Sequence, residues 1–170
     1  MLKRMLLSAG VAAAILGSAA VAQAKDPPGA KFAMKAAQGN LAEVQMGQLA
    51  QANSQSAEVK SFGQTLQTDH SAANQKLSGV AGQMGVTLPS EPNKKQKADH
   101  DKLAKLTGDK FDREFAKHMV MDHKKDIADY KKAAKMKNDP AAGYASDTLP
   151  TLETHLQTAQ SLAKGAPKTQ

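Results

Sequence analysis

Between Ala57 and Met84 the chain carries no proline, and its apolar residues recur at Val59, Phe62, Leu66, Ala73, Leu77, Val80 and Met84. Steps of three, four and their sum place all seven on one face of a helix. Such a helix is about 42 Å long at about 1.5 Å per residue, the length of a bundle helix. One apolar stripe on a long helix cannot be stable alone, so the rest of the chain must supply partners that cover it.

Those partners are marked out by helix breakers. After Pro27-Pro28-Gly29 a first helix is predicted over Ala30–Ala52, with Phe32, Ala36, Ala37, Leu41, Val44 and Leu49 inward. Asn53 to Ser56 offers caps and a reversal before the second helix, Ala57–Met84. Gly85, Pro89 and Pro92 then open a polar crossover that contains a short helix, Asn93–Leu106. Thr107-Gly108-Asp109 precedes a fourth helix, Lys110–Lys137, with Phe111, Phe115, Met119, Ile127, Tyr130 and Ala134 inward. Asn138-Asp139-Pro140 is a stop and restart, and the last helix is expected over Ala141–Ala163, with Ala145, Leu149, Leu152, Leu156, Ala159 and Leu162 inward. Pro150 predicts a kink or one-turn break inside it. Four long amphipathic segments plus one short one describe an all-α fold, a ferritin-like four-helix bundle with a short accessory crossover helix. Short loops within each pair and a long middle connection make it two antiparallel hairpins. No run alternates at period two for the roughly ten residues of a barrel strand.

The first 24 residues read as a leader rather than as part of this domain. Lys3 and Arg4 precede an apolar run from Met5 to Ala20, and Ala22-Gln23-Ala24 is a small-x-small cleavage site. The expected organisation is a signal peptide over 1–24, a linker over 25–29, the bundle over 30–164 and a disordered tail over 165–170. Export to the periplasm follows, with no transmembrane segment in the mature chain, since the run is shorter than the roughly 20 residues of a spanning helix. A formal charge of +7, reduced by two when Lys3 and Arg4 are removed, lies in the ordinary range for a small domain and calls for no nucleic-acid partner. Lys94, Lys95, Lys97, Lys102 and Lys105 form a basic stretch that either keeps the surface solvated or makes peripheral contact with anionic envelope surfaces. With no cysteine, thiol nucleophiles, disulfides and cysteine-held metal sites are excluded.

A weak repeat relates the second and fourth helices. Phe62, Asp69-His70 and Leu77 recur as Phe115, Asp122-His123 and Tyr130 at a constant offset of 53 residues. Each histidine interrupts an apolar stripe and is expected at the seam, and each aspartate lies about 100° round the helix toward the flank.

Several of these pieces resemble a bacterial family, the domain of unknown function 4142, over Phe32 to Leu162. They are Phe32-x4-Ala37-x-Gly39-x3-Glu43-Val44, Val59-Lys60-x-Phe62 through Asp69-His70, Gly108-x2-Phe111-Asp112, Met119-x2-Asp122-His123 and Thr148-Leu149-Pro150-x-Leu152-x2-His155-Leu156. Members are often provisionally labelled outer-membrane proteins and have a ferritin-like helical fold. The resemblance implies that fold and export rather than an activity. Gly63 stands where the family more commonly has alanine, a departure expected to matter little for the fold.

The residue types that carry chemistry are His70, His118, His123 and His155, with Asp69, Asp122, Glu43, Glu58 and Glu114 near them. Imidazoles and carboxylates on facing helices can converge on iron, zinc or copper, and Met46, Met119 and Met121 would bias a site toward copper. The Glu-x-x-His pairs of dimetal bundles are absent, since Glu114 and His118 are one residue too far apart. The same histidines serve equally as buried polar groups that set helix register. His100, between Asp99 and Asp101, reads as solvated, and His118 with Asp122 as an intrahelical pair. Neither a nucleophile elbow nor a phosphate loop is present. The preferred reading is an exported, non-catalytic periplasmic binding or envelope-stress protein, and the alternative is a metal-binding ferritin-like bundle with a redox or sequestration role.

Overall fold

The computed structural model describes residues 27–165, so the expected signal peptide and most of the expected tail lie outside the described residues. Five helices follow one another: α1 Ala30–Asn53, α2 Ala57–Met84, α3 Lys94–Leu103, α4 Gly108–Ala133 and α5 Pro140–Gly165. Helix α1 packs along α2 and α4 along α5, and the two hairpins meet through α2 on α5 and α1 on α4, with α3 laid across α1 and α4. This is the ferritin-like bundle with a crossover helix.

Local chemistry sets the ends. Ser56 caps α2 by accepting from the Val59 amide at 3.2 Å, and Gly85 closes it in the left-handed region at φ 67°. Asn93 lies outside α3 as its cap, in a reciprocal box with Gln96. Asn138, at φ 55°, turns the chain before Pro140 begins α5. Asp139 accepts from the amides of Ala141 and Gly29, tying the start of α5 to the start of α1. Three expectations are corrected here. Helix α3 ends at Leu103, α4 ends at Ala133 in a tightened turn rather than at Lys137, and α5 runs through Pro150 without a break.

A larger correction concerns α1. Leu41, Val44 and Leu49 lie at the edge of its contact face, while Ala33, Ala37, Asn40, Glu43, Met46, Gly47 and Ala50 are buried. Small residues win because α1 and α2 approach closely: a Cβ on Gly47 would stand 2.4 Å from the Gly63 carbonyl oxygen, and one on Gly63 would stand 2.7 Å from the Gly47 carbonyl oxygen. Gly63 is therefore not a minor departure, since alanine there requires the two helices to move apart.

Two apolar clusters fill the bundle. One gathers Phe32, Ala37, Leu77, Ile127, Tyr130 and Leu152, and the other gathers Met46, Phe62, Leu66, Phe111, Phe115 and Met119. Every long helix passes from one cluster to the other through a buried polar position: Asn40 and Glu43 on α1, His70 on α2, His123 on α4 and His155 on α5. A polar layer thus crosses the middle of an apolar core.

Candidate metal centre

Each imidazole of this layer is held by a different acceptor. His155 donates from Nε2 to Asp69 Oδ2 at 2.9 Å. His123 donates from Nδ1 to the Met119 carbonyl, one turn earlier, at 3.0 Å. His70 donates from Nδ1 to the amide oxygen of Asn40 at 3.0 Å. Asn40 is itself fixed, because its Nδ2 donates to the Tyr144 hydroxyl at 3.1 Å and that hydroxyl lies 3.3 Å from the hydroxyl of Tyr130.

A carboxylate, a carbonyl and an amide oxygen can only accept, so the facing ring nitrogen must carry the proton. The lone pairs then reside on His70 Nε2, His123 Nε2 and His155 Nδ1. The latter two are 3.4 Å apart, and His70 Nε2 is buried with no hydrogen-bond partner. One ring nitrogen from each of the three histidines lies within 4.8 Å of the others. The rings are 4%, 1% and 2% exposed for His70, His123 and His155.

Burial keeps these groups neutral. It drives the His70 pKa well below the ordinary imidazole value, with His123 and His155 opposing a charge there as well. Burial and the neighbouring His155 lower His123 to about 4. His155 is lowered by burial against the opposing pull of Asp69. With protons outward and charge disfavoured, two nitrogen lone pairs face each other at 3.4 Å. Two nitrogens bound about 2.0–2.1 Å from a tetrahedral ion stand about 3.3–3.4 Å apart, so this edge of the triangle has the spacing that a cation requires. The outward hydrogen bonds are those that orient histidine ligands in metal sites.

The other expected site residues divide. Asp69 sits at the surface behind His155, with its side chain 39% exposed. Glu43 is buried on the far side of His123, its Oε1 3.8 Å from Nδ1. Asp122 and His118 turn away from the imidazole triangle toward a separate cavity shared with Glu43. Glu58 hydrogen-bonds the Ser56 cap, and Glu114 pairs with Lys117. Met121 is exposed, whereas Met46 and Met119 are packed in the apolar core, so the sulfur bias toward copper loses its support. His100 is half-buried beside Asp101. Along the basic stretch Lys95 pairs with Asp99 and Lys97 with Glu91, which neutralises part of it. No helix among the described residues is long and apolar enough to cross a membrane. Asn40, Tyr130 and Tyr144 were not expected in the site. Tyr130 lies in the core as its place on the α4 stripe predicts, and only the position of Asn40 three residues before Glu43 hints at a polar face on α1.

No curated protein sequence matches the chain. A solved structure from Streptomyces coelicolor, provisionally described as the secreted protein DUF305, is similar at a TM-score of 0.70 and 16% identity, over 86% of this chain and 99% of that one. That likeness is one of fold. The family model described as domain of unknown function, DUF4142, matches residues 15–162, and the chain belongs to that family.

Proposed function

We propose that the protein is an exported, non-catalytic cation-binding bundle that holds one zinc or copper ion on His70, His123 and His155. The observation that carries this reading is the set of three inward, unprotonated ring nitrogens, each with its other nitrogen tied to a fixed acceptor. Three neutral imidazoles without a carboxylate suit zinc and copper better than iron, whose bundle centres are built from carboxylates. The nitrogens face one another inside the core rather than a cleft, which favours holding an ion over turning over a substrate. Export rests on the leader at Lys3 to Ala24.

Metal content and affinity of the tag-free mature chain test the reading. One ion per chain is expected. At a free ion concentration about a hundred times Kd, a gain of about 2.7 kcal/mol should raise Tm by on the order of 10 °C. His70→Ala, His123→Ala and His155→Ala should each abolish the rise. A Tm indifferent to zinc and copper would leave the histidines as a polar layer that sets register.

A further inference from the structure

We infer that the cavity between α1, α3 and α4 is a second cation site, which takes a largely hydrated divalent ion such as manganese(II) on the carboxylates of Glu43 and Asp122. The cavity measures about 150 Å³ and is lined by Glu43, Asp122, Asp126 and His118, with α3 forming its roof through Gln96 and Asp99. Water occupies about 30 Å³ per molecule in the liquid, so this space admits an ion together with several of its waters.

Glu43 supplies the observation that points to a ligand. Its side chain is 1% exposed, it lines the cavity, and its Oε2 has no hydrogen-bond partner. Asp122 lines the same cavity, so two carboxyl groups border one enclosed space. Three lysines also line the cavity, each paired with an acid other than Glu43 and Asp122: Lys35 with Asp129, Lys95 with Asp99 and Lys125 with Asp126.

The ligand chemistry differs from that of the imidazole triangle. Two carboxylates rather than three imidazoles offer themselves, so the ion that fits keeps most of its water and takes hard oxygen ligands. The imidazole of His118 at the cavity wall tips the choice from magnesium toward manganese. The site does not depend on an ion in the triangle. Glu43 approaches the protonated Nδ1 of His123, whereas the lone pair of that ring points the other way.

Manganese(II) titration of the full mature chain, followed by electron paramagnetic resonance of the free ion, tests the inference. One bound ion per chain is expected. His155→Ala should retain it, while Asp122→Asn and Glu43→Gln should each weaken binding by at least about tenfold. Glu43→Gln is close to isosteric, and an unchanged thermal transition would show that each variant is folded. The absence of bound manganese at millimolar concentration, or affinity unchanged in both carboxylate variants, would overturn the inference and leave Glu43 and Asp122 as a pair that shares a proton. Manganese lost in His155→Ala with a retained thermal transition would also overturn it, by placing the ion in the triangle.

Discussion

Replacing Gly63 with alanine tests the close approach of α1 and α2 and its hold on the imidazole layer. The added methyl would stand 2.7 Å from the Gly47 carbonyl oxygen and 2.8 Å from Ala50 Cβ. Ordinary carbon contacts are about 3.5–4.0 Å, so the helices must separate by roughly an ångström. Helix propensity favours alanine by about 1 kcal/mol, and overpacking opposes it by about 1–3 kcal/mol, with contacts along the interface weakened as well. A net loss of about 1–2 kcal/mol is expected from these opposing effects. Gly79→Ala and Gly82→Ala are internal controls, since nothing lies within 4 Å of a Cβ at either position. Each should gain up to about 1 kcal/mol. The effect should also reach the centre. Gly47 follows Asn40 by seven residues and Gly63 precedes His70 by seven, so the crossing lies about 10 Å along the helices from the 3.0 Å bond between Asn40 and His70. Urea denaturation gives the stability, and ¹⁵N spectra of the imidazoles report whether His70 keeps its proton on Nδ1. If Gly63→Ala stabilises the protein as Gly79→Ala does, the close approach is wrong.

Three further outcomes follow from the same geometry. NMR titration of the metal-free protein should place the His123 transition near 4; an imidazole titrating at its ordinary value of about 6.5 would contradict its burial. Because that pKa is depressed in the folded state, the unfolded chain binds the proton more readily. The contribution of His123 to stability is therefore complete above about pH 6.5 and declines as pH falls toward 4, by about 3 kcal/mol in all. Asp69→Asn should weaken zinc affinity by about 10- to 100-fold with little change in the fold, measured by competition with a chromophoric chelator; unchanged affinity would remove Asp69 from the site. Phe115→Ala, which removes a fully buried ring stacked on Phe111, should cost about 3–5 kcal/mol in chemical denaturation, and a loss under about 1 kcal/mol would mean that its contacts are misplaced.

Where the helices lie was largely legible, because breakers and stripes act locally. Helix α2 runs from Ala57 to Met84 as its apolar spacing predicts, and the repeated Asp-His steps bring His70 and His123 to ring centroids 5.9 Å apart. His155 is a candidate metal ligand on the sequence, but outside the Asp-His repeat. Its place between Leu152 and Ala159 put it on the inward stripe of α5, but only the packing of the hairpins carries that stripe to the other two rings. On helix α1 Phe32, Ala36 and Ala37 lie inward as expected, but Leu41, Val44 and Leu49 do not define the rest of the buried face. That face is instead built from small residues that admit a neighbouring backbone and from Asn40 and Glu43, whose polarity suits the histidines they meet. Asp122 lies off the seam as its place one residue before His123 predicts, and it lines the cavity under α3 together with Glu43.

The imidazole triangle is divided between the hairpins: His70 belongs to α1–α2, while His123 and His155 belong to α4–α5. An ion held by all three would act as a rivet between the halves of the molecule, and its escape would wait on their parting rather than on the strength of any one nitrogen bond. Were the halves to part, α4–α5 would keep two of the proposed ligands and α1–α2 one, so the second hairpin would hold the ion better than the first. Residence time is then a property of the seam between hairpins, and substitutions along α2 and α5 would tune release without touching a ligand.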